Sequence, residues 1–179
     1  MKDEKKILGE ERRQLILQWL KESSEPLTGA ELAAKTNVSR QVIVQDISLL
    51  KARNEPIIAT SQGYLYLPTK ITNETYTRVV ACYHTPEQTK EELQLIVDYG
   101  VTVKDVKIEH PVYGDLTASV MVSNRQEVEK FINKIKETNS SYLLQLTDGT
   151  HLHTLQADSI AKLDAACAAL KKAGFLIEL

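Results

Sequence analysis

Two helix-start signatures stand close together in this chain: Thr28-Gly29-Ala30-Glu31 and Ser39-Arg40-Gln41. In the first, a threonine hydroxyl accepts from the third amide of a helix, and the glutamate reaches back to the threonine amide. In the second, Ser39 is an N-cap for a new helix. The space between them holds only one short helix, around Glu31-Leu32-Ala33-Ala34, and a tight turn at Thr36-Asn37-Val38. A short helix turned directly into a longer one restricts the chain to very few small folds.

The flanking pattern narrows it further. Leu15, Ile16, Trp19 and Leu20 recur at helical spacing and predict a first helix over Glu10 to Glu22, closed by Ser23, Ser24 and Pro26. The helix begun at Ser39 runs to about Arg53, with Ile43, Ile47 and Leu50 on its core face. Ile57 to Thr60, a Ser61-Gln62-Gly63 turn, and Tyr64 to Leu67 then read as a β-hairpin. Helix, short helix, turn, helix and hairpin make a winged helix-turn-helix. In that arrangement the second helix braces the third, and the third enters the major groove of double-stranded operator DNA. Arg40, Gln41, Val44, Gln45 and Ser48 fall opposite the core stripe, and Ser39, Arg40, Gln41 and Gln45 are the expected DNA-binding residues. Arginine and glutamine carry the forked groups that read guanine and adenine edges. A three-helix module that binds protein is the competing reading.

Charge agrees weakly. Residues 1–68 carry 10 Lys/Arg against 9 Asp/Glu, and residues 69–179 carry 12 against 15, so the halves are +1 and −3. The boundary between them is expected at Leu67 to Asn73, where Leu-Pro-Thr-Lys interrupts the pattern. This gives a DNA-binding domain over 1–70 and a second domain over 71–179. No apolar run is long enough to span a membrane. Met1 to Lys6 is charged and leads into no signal segment, so a cytoplasmic protein is expected. Cys82 and Cys167 are isolated and read as reduced thiols.

The second half alternates strands and helices. Strands are expected at Thr75–His84, Val101–Glu109 and Leu116–Ser123, with two short ones in Ser141–Gln156 around Asp148-Gly149-Thr150. Helices are expected at Thr85–Gly100, Asn124–Asn139 and Asp158–Ala173, the last closed by Gly174. Helices returning to one sheet give an α+β sandwich.

All four histidines, His84, His110, His151 and His153, lie in this half. His151 and His153 alternate along one strand and so face the same side. Such a pair can offer two nitrogen ligands to a metal, and a further histidine and a carboxylate would complete a mixed site. His84 ends a strand, with Glu92 two turns into the following helix. Glu87 and Glu91 are rival carboxylates. Cys82 shares the face of His84 and is an outside candidate, although a small core residue is its plainer reading.

At these residues the chain resembles the niacin-responsive repressor family, NiaR. The matching stretches are Ser39-Arg40-Gln41-Val42-Ile43-Val44-Gln45-Asp46-Ile47, Tyr83-His84-Thr85, Glu109-His110-Pro111-Val112-Tyr113-Gly114 and Thr147-Asp148-Gly149-Thr150-His151-Leu152-His153. The resemblance implies a C-terminal three-histidine domain like the histidine-containing phosphocarrier fold, an open-faced sheet with helices on one side. It implies one divalent transition metal per chain, held by His84, Glu92, His151 and His153; zinc, nickel and iron all suit such ligands. It also implies nicotinic acid as co-repressor, control of niacin uptake or NAD biosynthesis genes, and a homodimer. His110 matches the remaining histidine of the domain, and His110 and Tyr113 are expected near the effector. A repressor whose effector is the metal itself would use the same ligands. An enzyme is not expected, since no base, nucleophile or phosphate loop accompanies the site, and phosphotransfer rests on fold analogy alone.

Overall fold

The computed structural model describes residues 8–67 and 75–178. The chain divides into two compact units, Met1–Ile71 and Thr72–Leu179. Most of the expected boundary, and the charged Met1 to Lys6, lie outside the described residues.

The first unit holds α1 (Gly9–Glu22), α2 (Gly29–Thr36), α3 (Arg40–Ala52), β1 (Ile57–Thr60) and β2 (Gly63–Tyr66). Both helix starts form as the sequence predicts. Thr28 accepts from the Glu31 amide while the Glu31 carboxylate accepts from the Thr28 amide, and Ser39 accepts from the Val42 amide. Asn37 turns the chain between α2 and α3 in the left-handed conformation, which asparagine tolerates. Ile16, Leu20, Leu32, Ile43, Ile47, Leu50 and Ile57 are buried as one core. The hairpin turn is tighter than Ser61-Gln62-Gly63, because Gly63 already pairs with Thr60. Gly63 has φ +139°, and a Cβ there would stand 2.7 Å from the Leu27 carbonyl oxygen. Glycine lets Leu27 exchange both backbone hydrogen bonds with Tyr64, at 3.0 and 2.8 Å, and so tie the wing to the helices.

A buried ion pair holds α1 on α3. Arg12 Nε donates to Asp46 Oδ2 at 2.5 Å and Arg13 Nη1 to Asp46 Oδ1 at 3.2 Å. Glu10 bonds both Arg13 and Arg53, and the hydrogen bonds of Arg53 and then Arg13 lower its carboxyl to about 2.

The second unit comprises β3 (Tyr76–Tyr83), α4 (Thr89–Val97), β4 (Thr102–His110), β5 (Gly114–Ala118), α5 (Arg125–Thr138), β6 (Thr150–Ala157) and α6 (Ile160–Ala173). The strands form an antiparallel sheet in the order β3-β6-β4-β5. Val80, Cys82, Val103, Leu155 and Ala157 pack against Leu93, Ile96 and Val97 of α4, Val128 and Ile132 of α5, and Leu163, Ala166 and Leu170 of α6. Alternate residues on the other face, Val79, Tyr83 and Leu152, are exposed. The second unit is thus an α+β, open-faced sandwich, and with the winged helix of the first unit it gives the fold class read from the sequence.

Three expected elements change. The helix over Thr85–Gly100 begins as a 3₁₀ turn at Pro86–Gln88, where the Gln88 side chain accepts from the Thr85 amide; α4 ends at Val97 before left-handed Gly100. The strand over Leu116–Ser123 stops at Ala118. Met121 adopts φ +52°, and Val122 then bridges to Val103. The first of the two strands in Ser141–Gln156 is a 3₁₀ turn over Leu143–Thr147, pinned by buried Leu144 and ended by Asp148 and Gly149.

Candidate functional site

The sheet face that meets α4 carries the histidines. Cys82 lies opposite His151 and Val80 opposite His153, so β3 and β6 present them toward the helices; His84 follows β3 on the same side. Glu92 sits in the first turn of α4 and is 0% exposed. The rivals Glu87 and Glu91 are exposed. Three imidazoles converge on the one carboxylate. His84 Nε2 lies 2.7 Å from Glu92 Oε2, His151 Nε2 3.2 Å from Oε1, and His153 Nε2 3.2 Å from Oε2.

The opposite ring nitrogens fix the tautomers. Nδ1 of His84 contacts the Thr85 carbonyl at 2.8 Å, that of His151 the Gly149 carbonyl at 2.9 Å, and that of His153 the Asp105 carbonyl at 2.6 Å. A carbonyl oxygen only accepts, so each Nδ1 carries the hydrogen. Each neutral ring then aims its Nε2 lone pair at an acceptor-only carboxylate. That arrangement needs either several imidazolium protons in one buried place or a cation among the four groups. Without a cation, burial opposes charge at Glu92, but the attraction of His153 and hydrogen bonds from His151, His153 and His84 outweigh it and hold the carboxyl well below the usual range. Burial opposes charge on His84 and His153 too, and Glu92 overrides it and raises both. Backbone carbonyls on Nδ1 and a free Nε2 are the usual support of metal-ligating histidine, so the donor set fits a divalent transition metal.

Local backbone detail makes this possible. A β-bulge between Val103 and Asp105 shifts the β4 register beside His153. Gly149 has φ +103°, and a Cβ there would stand 2.7 Å from the His84 carbonyl oxygen. Cys82 Sγ lies with Glu92 and His151 in a group whose ligand atoms are all within 4.8 Å. Burial, then the charge of Glu92, raises its thiol and keeps it protonated, and it packs as a core residue.

The carbonyls of Thr85, Asp105 and Gly149 escaped sequence reasoning. Backbone acceptors carry no residue signature, although the glycine two places before His151 was visible. Asp46 was missed as well. A carboxylate beside Ile47 on the core stripe of α3 was the available signal.

The other expected residues lie elsewhere. His110 and Tyr113 are on the β4–β5 hairpin. His110 Nδ1 accepts from the Val112 and Tyr113 amides at 3.2 and 3.3 Å, and the His110 and Tyr113 rings are 5.0 Å apart. No hydrogen bond or ring contact among the described residues joins them to the cluster. A cavity of about 280 Å³ adjoins the cluster at His84, with Tyr83, Thr85, Leu144, Gln145 and Gly149 in its wall. In the first unit, Arg40, Gln41 and Gln45 are exposed along α3, and the Arg40 stem passes over Gly29. The Ser48 hydroxyl is engaged with the Val44 carbonyl at 2.8 Å.

Comparison with known proteins agrees with this division. Residues 77–179 match the 3H domain family, and residues 12–65 match an HTH domain family. The chain is 63% identical over 179 residues to the transcription repressor NadR of Bacillus subtilis, covering 99% of each chain. It is 42% identical over 173 residues to a probable transcription repressor NiaR of Thermotoga maritima, covering 97% of each. An uncharacterized protein of Methanothermus fervidus is 28% identical over 101 residues, which are 52% of this chain and 16% of that one. No helix among the described residues is long and apolar enough to cross a membrane. A helix-turn-helix unit joined to a 3H domain, shared nearly end to end with two repressors, makes this chain a member of the NadR/NiaR family of transcription repressors.

Proposed function

We propose that this repressor holds one divalent transition metal on His84, Glu92, His151 and His153, and that nicotinic acid acts as its co-repressor at niacin uptake or NAD biosynthesis genes. The observation that carries the reading is the convergence of three Nε2 atoms on one buried carboxylate. A homodimer would present two α3 helices to an inverted repeat, with Ser39, Arg40, Gln41 and Gln45 at the DNA. The relatives are repressors, so a regulator is favoured over an enzyme.

The ligand side chains of His84, Glu92 and His151 are 0% exposed and that of His153 is 4%. So closed a site favours an effector that senses the cation across His84 rather than one that ligates it. Two places suit a single-ring acid: the His110–Tyr113 hairpin expected from the sequence, and the cavity beside His84. Proximity to the metal's positive charge favours the cavity for an anion. The same closed site also supports a second reading, in which metal occupancy alone sets operator affinity.

Titration of operator binding with nicotinate and nicotinamide, in metal-loaded and chelated protein, tests both. Nicotinate should tighten binding of the loaded protein, and nicotinamide much less. A response only to metal favours the second reading, and an equal response to acid and amide removes the charge argument. Loss of the response in His110→Ala with retention in Gln145→Ala would move the effector to the hairpin.

A further inference from the structure

Gly29 opens α2, directly after the Thr28 cap, and two side chains share the space above it. A Cβ built there would stand 3.4 Å from both Cγ and Nε of Arg40, the first residue of α3, and 3.6 Å from Cε2 of Tyr64 on the wing. The wing is fixed at this level, because Tyr64 exchanges both backbone hydrogen bonds with Leu27. The Gly29 backbone has no positive φ, so its own conformation does not call for glycine. Alanine would favour the helix more. What the missing side chain leaves is room for the arginine stem.

The charge of Arg40 is otherwise unclaimed. The residue is exposed, and no ion pair or hydrogen bond among the described residues holds its guanidinium. Glu31, the acid in the first turn of α2, is taken up by the Thr28 amide and hydroxyl, each at 2.7 Å.

We propose that Gly29 is a positioning residue for base reading: with Tyr64 beside it, it forms a slot that sets the Arg40 side chain before DNA arrives. An arginine that reads a guanine edge must hold one planar fork in one orientation. Its long stem carries much rotamer entropy, and ordering it in the free protein lowers what binding must still remove. Because Tyr64 belongs to β2, the wing then acts on base preference through Arg40. The proposal rests on the reading of α3 as the DNA-contacting helix given above.

Binding of the full chain to an operator duplex selected from a random pool, and to a scrambled duplex, tests it. Gly29→Ala should bind as the wild type does, since its Cβ only reaches contact distance. Gly29→Val should push the stem aside with its γ-methyls, weaken operator binding about tenfold and leave the scrambled duplex unaffected. The double variant Gly29→Val with Arg40→Ala should bind no more weakly than Arg40→Ala alone, because the group the valine displaces is already gone. In wild-type protein without DNA, nitrogen relaxation of the Arg40 Nε–H should report an ordered group, with an order parameter above about 0.6. That measurement needs no variant to fold. A lower value, a Gly29→Val variant with undiminished operator binding, or a Gly29→Val loss that adds in full to that of Arg40→Ala overturns the slot alone. An Arg40→Ala variant that keeps full operator preference overturns the base-reading role of Arg40 with it.

Discussion

Glu92 Oε2 stands 2.7 Å from His84 Nε2 and 3.2 Å from His153 Nε2, so one carboxylate oxygen joins the end of β3 to the middle of β6. The Nε2 lone pairs of the cluster all point inward at that buried carboxylate.

Metal content should follow the ligand set. His151→Ala, His153→Ala and Glu92→Gln should each purify largely without metal, whereas Glu91→Gln should purify fully loaded, since Glu91 is exposed. Elemental analysis reads this directly. A full Glu92→Gln variant would reassign the carboxylate.

Gly149→Ala should damage the site without touching a ligand. The substitution forces a side chain into a φ of +103° and against the His84 carbonyl. The strain should cost about 1–3 kcal/mol, read by urea unfolding. A displaced Gly149 carbonyl loosens His151, so metal affinity should fall about 10–100-fold. Unchanged affinity in this variant would detach that carbonyl from the site.

Stability should respond to pH with opposite signs in the two states. In chelated protein, Glu92 raises His84 and His153 above the ordinary value of 6.5. A raised base contributes stability that is complete below the unfolded value and lost as pH climbs through the folded one. The chelated domain should therefore weaken as pH rises above 6.5. Loaded protein should instead gain as pH rises toward 6.5 and level off above it, because protons compete with the metal for Nε2 and the histidines of the unfolded chain are already neutral there. Calorimetry with and without chelator checks the two slopes.

Asp46→Asn should unfold the DNA-binding unit more readily, since it strips the carboxylate from buried Arg12. Breaking one side of a buried pair costs about 3–5 kcal/mol. Asp46→Asn should lower the urea midpoint of this unit while metal content stays whole.

Arg40→Ala and Gln45→Ala should each weaken specific DNA binding by about 1–3 kcal/mol and relax base preference, with stability unchanged because both residues are exposed. Gel-shift titrations against operator and random duplex separate this from a general loss of affinity.

The helix-turn-helix unit was legible in the sequence because its signals are local. Caps at Thr28 and Ser39, and stripes on α1 and α3, are written within a few residues of where they act. The 3H sheet was less so. Leu143 to Thr147 alternates like a strand, yet the chain there turns to seat Leu144 and deliver Asp148 and Gly149 in left-handed form. Nothing near Met121 marks the break after β5. Among the carboxylates, spacing left Glu87, Glu91 and Glu92 open; resemblance to a family, and then burial, separated them.

The histidines and carboxylate that converge are spread from position 84 to position 153, and Asp105 and Gly149 supply two of the carbonyls that orient them. During synthesis the DNA-reading unit is complete long before His151 and His153 emerge. A chain stopped early would carry a recognition helix and no cluster. With the proposed metal in place, occupancy would record that translation had passed His153, and a repressor truncated before it would be distinguishable by what it fails to hold.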